Sequence, residues 1–330
     1  MSDGPKQQTA DQWSRFWESG SLTTFIGRFA DNYDGDVMGF WFLEFRKLPD
    51  GAHIVDLATG NGALAMLATQ YSRNNDKGFR VTGIDYADID PLAYAKEDQR
   101  EDMATIEFVG NTRIEQTTLP DGSVDCAVSQ FGFEYADPAA AIAEVSRILK
   151  PEGSRFAAIM HHQDSDIMKQ ATDGLAQVAA CEQSNLHAHI EPMLRRLHEL
   201  KAQGANPAAD PEAERLRGAL NELTEQLHNA QNRFLDPSMF PYYLKHSMAV
   251  FNPNIVGDIT LDQKLDLLRQ VDAFTADYKQ RMQDLAAAAR SPEDFEHLET
   301  ALASHGFTVE KSEPFHFETT WFGHVLVASR

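Results

Sequence analysis

Cysteine is scarce in this chain. Cys126 and Cys181 are the only two in 330 residues, which excludes a disulfide framework and points to a reducing compartment. Long apolar runs are missing as well. None approaches the ~18 residues that a membrane span requires, so no membrane partner is expected. The N-terminal stretch MSDGPKQQTADQ lacks the charged-then-apolar pattern of a secretory signal. Bases are in deficit: 29 Lys and Arg stand against 50 Asp and Glu, for a net charge of −21. Between Tyr86 and Asp125 ten acids face three bases. Such a surface repels a phosphate backbone, and no basic stripe offsets it, so no nucleic-acid partner is expected. No long-period repeat or low-complexity tract is present. What remains is an ordinary globular composition, 42% hydrophobic and 24% charged. The sequence therefore predicts a soluble, cytoplasmic chain of two domains, or of one domain with a large insertion.

Aromatic residues are abundant near the start. Residues 13–45 hold three of the four tryptophans, and spacings such as Trp13–Phe16–Trp17 and Phe25–Phe29 fit helical faces. Short apolar runs then alternate with helical stretches. Ile54–Leu57, Arg80–Ile84, Ile106–Val109, Val124–Ser129 and Arg155–Met160 read as strands. Ala63–Ser72, Pro91–Glu101 and Pro138–Leu149 read as helices. Asp137 and Pro138 form a cap and first turn, and Pro151 and Gly153 form a stop. This alternation argues for βαβ units and a parallel sheet.

From about residue 163 the strand signals cease. Leu186, Ile190, Met193, Leu197 and Leu200 form one heptad-like seam, and Leu216, Leu220, Leu223, Leu227, Ala230 and Phe234 another. A turn-rich break at residues 204–211 lies between them, so a helical hairpin is expected. Thr260-Leu-Asp-Gln263 opens a third helix as a capping box, and Ser291-Pro-Glu-Asp294 a fourth. Phe307–Val309 and Trp321–Ala328 read as two final strands at an antiparallel edge.

The most informative stretch is His53-Ile-Val-Asp-Leu-Ala-Thr-Gly-Asn-Gly-Ala-Leu-Ala65. A strand enters a tight glycine turn and a helix leaves it. Gly60 and Gly62 permit positive φ and close approach to a ligand, and the helix N-terminus behind them offers free N–H groups. Asp85 follows Gly62 by 23 residues, at the tip of the second strand, where a carboxylate can accept both hydroxyls of a ribose. The pattern points to a nucleoside-containing cofactor. Gly60-x-Gly62-x-x-Ala65 also fits a dinucleotide fingerprint, which keeps a nicotinamide-dependent oxidoreductase as the competing reading. Asp56 inside the first strand, the polar pair Asn111-Thr112 after the third, and the antiparallel edge favour S-adenosylmethionine.

On these motifs the chain resembles the class I S-adenosylmethionine-dependent methyltransferases of the small-molecule type. Val-Asp-Leu-Ala-Thr-Gly-Asn-Gly is similar to their first motif and Gly83-Ile-Asp-Tyr86 to their second. Leu119–Asp125 with Ser129–Phe133 is similar to their fourth-strand region, and Glu144–Gly153 to the helix and turn that follow. The resemblance implies an α/β fold: a doubly wound, mostly parallel seven-stranded sheet of Rossmann-like type, with a large helical insertion between strands five and six. The expected division is an aromatic-rich cap over 1–50, a cofactor-binding core over 51–162 plus 305–330, and a helical insertion over 163–304 serving as lid or dimerisation arm. The resemblance also implies roles. Gly60, Asn61 and Gly62 approach the methionine end, with Asp56 on the ammonium side. Asp85 holds the ribose, Tyr86 flanks the adenine, Asn111 and Thr112 address its edge, and the backbone at Gln130 faces the methionine group. Two departures stand out: the usual glycine-cysteine-glycine core of the first motif is Ala58-Thr59-Gly60 here, and the acid common after the third strand is Asn111.

The expected activity is methyl transfer to an oxygen or nitrogen of a small-molecule acceptor. A non-catalytic, cofactor-binding interaction protein is the alternative outside enzymology. The acceptor belongs beyond the carboxyl ends of the strands, where Glu134 follows strand four and His161-His162 follow strand five. Any of the three could take a proton from an acceptor, the histidines because they are half-charged near neutral pH. Tyr33 joins the candidates, as a loop tyrosine not readily explained by packing. His161, His162, Asp164 and Asp166 form only a weak metal-ligand pattern, and no metal is expected.

Overall fold

The computed structural model describes residues 12–25, 28–29, 31–234 and 237–330. Its chain divides into two compact units: residues 1–168 with 287–330, and residues 169–286. The insertion expected over 163–304 thus compares with a helical unit over residues 169–286, and the last helix expected in it groups with the sheet.

The first unit is built on a seven-stranded sheet. β1 (His53–Leu57) is buried at every position, because helices cover both faces of the sheet. Successive side chains point to opposite faces. Ile54 joins Val81, Cys126, Val128, Ala157 and Ile159 in one core, with residues of the helices Gly35–Arg46 and Ala63–Asn74. Val55 and Leu57 join Ala127, Phe156, Ala158 and Leu326 in the other, with residues of the helices Pro138–Ile148 and Pro292–Ser304. β2 (Arg80–Ile84) pairs parallel with β1, and β3 (Glu107–Val109) with β2. On the other side β4 (Cys126–Gln130) and β5 (Arg155–Met160) continue the parallel array. β7 (Thr320–Ser329) runs antiparallel to β5, and β6 (Thr308–Phe317) antiparallel to β7. The order is β3-β2-β1-β4-β5-β7-β6. It reverses direction between β1 and β4, and the crevice beyond the carboxyl ends of those two strands is the ligand position of an open α/β sheet.

Local signals mostly hold. Asp137 accepts the Ala140 N–H at 2.9 Å, and Ser291 with Asp294 completes a capping box. The single helix expected over Pro91–Glu101 is instead two short ones, Pro91–Tyr94 and Arg100–Met103, broken at the extended residue Ala95. Glu97 and Glu101, and Asp98 and Asp102, would lie one turn apart on a continuous helix, and like charges at that spacing oppose it. The helix Pro292–Ser304 belongs to the sheet unit because Phe295, Leu298 and Leu302 are buried in the same core as Phe156 and Leu326.

Among its described residues the second unit has helices and no strand. Its core gathers Leu186, Ile190 and Leu194 from the helix Leu186–Ala202 and Leu220 and Leu227 from the helix Pro211–Ala230. Leu265, Leu268 and Val271 of the helix Leu261–Ala288 complete it. Asp210 caps the second of these helices and takes both Arg196 Nε and Nη2, at 3.1 and 2.5 Å. Among the described residues no helix is long and apolar enough to cross a membrane.

Candidate functional site

The glycine turn lies between β1 and the helix Ala63–Asn74. Ala58, Gly60 and Gly62 all have positive φ, at 59°, 54° and 85°, a conformation costly for residues with a Cβ. The bare faces of both glycines are filled from within the chain. A Cβ on Gly62 would lie 2.7 Å from the Phe108 ring, and one on Gly60 would collide with the Trp17 indole. Asp56, pointing to the helix side of β1, accepts the Thr59 hydroxyl at 2.6 Å and the Ala65 N–H at 3.1 Å. Its burial raises its pKa to about 7. Asn61 does not face an open crevice: its amide donates to the carbonyls of Trp17 and Ser21, both at 2.9 Å.

Asp85 closes the other side of the turn. One carboxylate oxygen accepts the Gly60 N–H at 2.7 Å and the other the Ala87 N–H at 2.8 Å. Burial raises its pKa to about 6. An ionised carboxylate offers about four acceptor sites, so these two bonds do not exhaust it. Tyr86 carries the Arg113 guanidinium over its ring at 4.5 Å and accepts an Arg113 N–H on its hydroxyl at 2.8 Å. Asn111 adopts φ 53° and donates to Asp88 at 3.1 Å, while the Thr112 hydroxyl bonds back to the Gly110 carbonyl at 3.0 Å.

Beyond β4 and β5 lies a second set of buried polar groups. Gln130 takes the Trp41 indole N–H on its Oε1, and its Nε2 has no partner. Phe131 follows in the left-handed region at φ 56°, an outlier for a bulky residue; its ring stacks on His161 with centroids 4.3 Å apart. Glu134 is buried; its Oε1 accepts the His161 backbone N–H at 2.7 Å and its Oε2 has no partner. Burial raises its pKa to about 7. Arg290 ties this corner together, donating to the Glu134 carbonyl at 2.7 Å from its side chain and to the His161 carbonyl at 2.9 Å from its backbone.

The expectation of a half-charged histidine pair is corrected here. The alternation of β5 continues past its end, so the two rings point to opposite faces of the sheet. His161 lies against Phe131, whereas His162 lies against Phe295 and Trp321. Burial depresses the pKa of His161 to about 3 and lowers that of His162, so neither is half-protonated near neutral pH. Asp164 donates its backbone N–H to His162 Nδ1, and Asp166 accepts the Trp321 N–H. Among the described residues no three His, Cys, Asp or Glu side chains gather as a metal site. Tyr33 is buried, with its ring edge-on to Phe29 at 5.2 Å. Burial, with Asp56 nearby, pushes its pKa up.

Sequence reasoning missed Phe131, Arg290 and the position of Trp17. A left-handed phenylalanine leaves no sequence signal. Arg290 reaches Glu134 across 156 residues. Trp17 was legible as a helical aromatic, but not as the partner of Gly60.

A family model described as a methyltransferase domain matches residues 55–157. No curated protein matches the chain. Among solved structures it is similar to a geranyl diphosphate methyltransferase in complex with GPP and sinefungin, with 19% identity over 38% of this chain and 44% of that one and a TM-score of 0.31. It is similar to the [4+2]-cyclase SpnF, with 19% identity over 46% and 58% and a TM-score of 0.36. A SAM-dependent methyltransferase from Aquifex aeolicus gives 22% identity over 50% and 76% and a TM-score of 0.32. The chain thus spans about half the length of the first two, at 44% and 58%. Residues 55–157, within the sheet unit, are thus the part of the chain that matches a methyltransferase domain.

Proposed function

We propose that the chain transfers the methyl group of S-adenosylmethionine to an oxygen or nitrogen of a small organic acceptor. The observation that carries this reading over a nicotinamide enzyme is the placement of Asp56. A dinucleotide rests its pyrophosphate on the first N–H groups of the helix after the glycine turn. Here the Ala65 N–H is held by the Asp56 carboxylate, and a second carboxylate, Asp85, holds the Gly60 N–H. A buried acid on that helix N–H disfavours a phosphate and favours a cation. S-Adenosylmethionine carries a sulfonium and an ammonium, and it supplies an electrophilic methyl when bound. In this reading Asp85 holds the ribose hydroxyls, Asp56 sets the negative field beside the glycine turn, and the unpartnered Gln130 Nε2 stands ready to donate to a carboxylate or carbonyl.

The chain's own work is to bind, align and move one proton. Alignment of an in-line displacement carries much of such a rate. Glu134 is the group placed to take a proton from an acceptor hydroxyl or ammonium. Its Oε2 is unpartnered, its Oε1 is fixed by the His161 N–H, and its pKa near 7 suits proton transfer at neutral pH. His161 backs Phe131 as a neutral ring rather than acting as the base.

The experiment is incubation of the protein with methyl-labelled S-adenosylmethionine and mixed amine and hydroxyl acceptors, with NAD titrated in parallel. Labelled product together with S-adenosylhomocysteine is the expected result. Binding of NAD without binding of S-adenosylmethionine would overturn the reading in favour of the oxidoreductase. Tight binding of S-adenosylmethionine with no transfer to any acceptor would favour the interaction protein.

A further inference from the structure

Residues 12–17 form a helical turn whose aromatic side chains lie on the cofactor crevice itself. Phe16 and Trp17 are buried with Ala87, just past the tip of β2, and Trp13 and Ile89 pack against them. Trp13 also meets Tyr135, in the loop after β4, edge-on at 6.0 Å. The segment therefore reaches both sides of the switch point. Trp17 covers the open face of Gly60 so closely that no Cβ fits there. Polar bonds hold the segment in place. Asn61 spends both amide hydrogens on the Trp17 and Ser21 carbonyls, and the Ser14 hydroxyl accepts the Asp88 N–H at 2.9 Å. The Asn61 Oδ1 is left buried and unpartnered.

We infer that this segment competes internally with the cofactor, with Trp17 seated on the Gly60 face and Asn61 acting as the latch. The inference rests on the methyltransferase reading and reassigns Asn61 from a cofactor contact to a positioning residue of the N-terminal segment. A ligand that must reach Gly60 and Asp85 meets the indole first, so only the fraction of molecules with the segment released is competent to bind. The apparent dissociation constant is the intrinsic one divided by that fraction. Removing the indole or the latch then tightens binding, the reverse of what removing a cofactor contact does.

The test uses the full chain and S-adenosylhomocysteine as the probe. For an open fraction of about one in ten, Trp17→Ala tightens its dissociation constant about tenfold and accelerates association, and Asn61→Ala shifts it the same way by less. Hydrogen exchange on the unmodified protein gives an independent readout: amides of residues 14–21 exchange faster once the probe is bound. Weaker or unchanged affinity in the folded variants, or slower exchange on binding, overturns the competitor and makes the segment part of the cofactor site. Binding by Trp17→Ala alone would be the strongest support. Failure of both the unmodified chain and Trp17→Ala to bind the probe would instead defeat the methyltransferase reading, and the latch with it.

Discussion

The two edges of the parallel sheet treat buried charge in opposite ways. At the amino edge every buried or half-buried acid meets a cation. Arg155, at the start of β5, bonds Glu44 at 3.1 Å and Glu310 at 2.6 and 2.8 Å. Lys47 adds a second bond to Glu44 at 2.8 Å, and Lys150 takes Asp125 at 2.6 Å. At the carboxyl edge Asp56, Asp85 and Glu134 accept hydrogen bonds from backbone N–H groups and the Thr59 hydroxyl. Desolvation raises all three, to about 7, 6 and 7, while Arg155 holds Glu310 down at about 2. Stability is built at one edge, and at the other it is given up to keep charge available for a ligand.

The largest effect that would sharpen this contrast is on turnover. Glu134→Gln keeps the acceptor for the His161 N–H but cannot take a proton, so methyl transfer should fall by about 10²-fold or more. The same change removes a buried charge that Arg290 only partly offsets and should leave the protein no less stable at pH 8, as a melting curve would register. Next comes Arg155→Met, which strips a cation from the buried Glu44. Lys47 still pairs with Glu44, so a loss of about 1–3 kcal/mol in denaturant unfolding is expected, with cofactor affinity unchanged; a loss of affinity instead would erase the distinction between the edges.

Their pH signatures should also differ in sign. Folded values above unfolded ones mean that the contribution of Asp56, Asp85 and Glu134 is full below about pH 4 and is lost as pH rises through 6 to 7. Glu310, depressed to about 2, contributes fully above its unfolded value of 4.5 and loses that contribution as pH falls toward 2. Glu134→Gln should therefore lessen the fall in stability between about pH 4.5 and 7, with Asp56 and Asp85 still contributing theirs, and leave the acid limb alone. The smallest effect belongs to His162→Phe, which keeps the stack on Phe295 and loses one bond from the Asp164 N–H. A cost within about 1 kcal/mol and unaltered turnover are expected; a hundredfold loss of turnover would return His162 to the site.

How far the sequence reaches depends on how local the demand is. The strand–turn–helix of residues 53–65, the acid at the tip of β2 and the caps at Asp137 and Ser291 are set by neighbours in the chain, and they were legible. The opposite facing of His161 and His162 was legible too, since period two places adjacent strand residues on opposite faces, yet the pair invites a joint reading. The boundary near residue 286 was not legible. Phe295, Leu298 and Leu302 have the same apolar spacing as the helices before them, and only tertiary packing decides that they cover the sheet. Arg290 and Trp17 act on residues far away in sequence, where periodicity has nothing to say.

The claim on which the contrast rests is that the carboxyl edge holds S-adenosylmethionine through Asp85. Calorimetric titration of the unmodified chain and of Asp85→Ala, with folding checked by circular dichroism, tests it most directly. Two charge-assisted hydrogen bonds to a ribose, at about 1.5–3 kcal/mol each at most, imply at least a tenfold loss of affinity in the variant. Equal affinity in a folded Asp85→Ala protein, or NAD binding in place of S-adenosylmethionine, would contradict it.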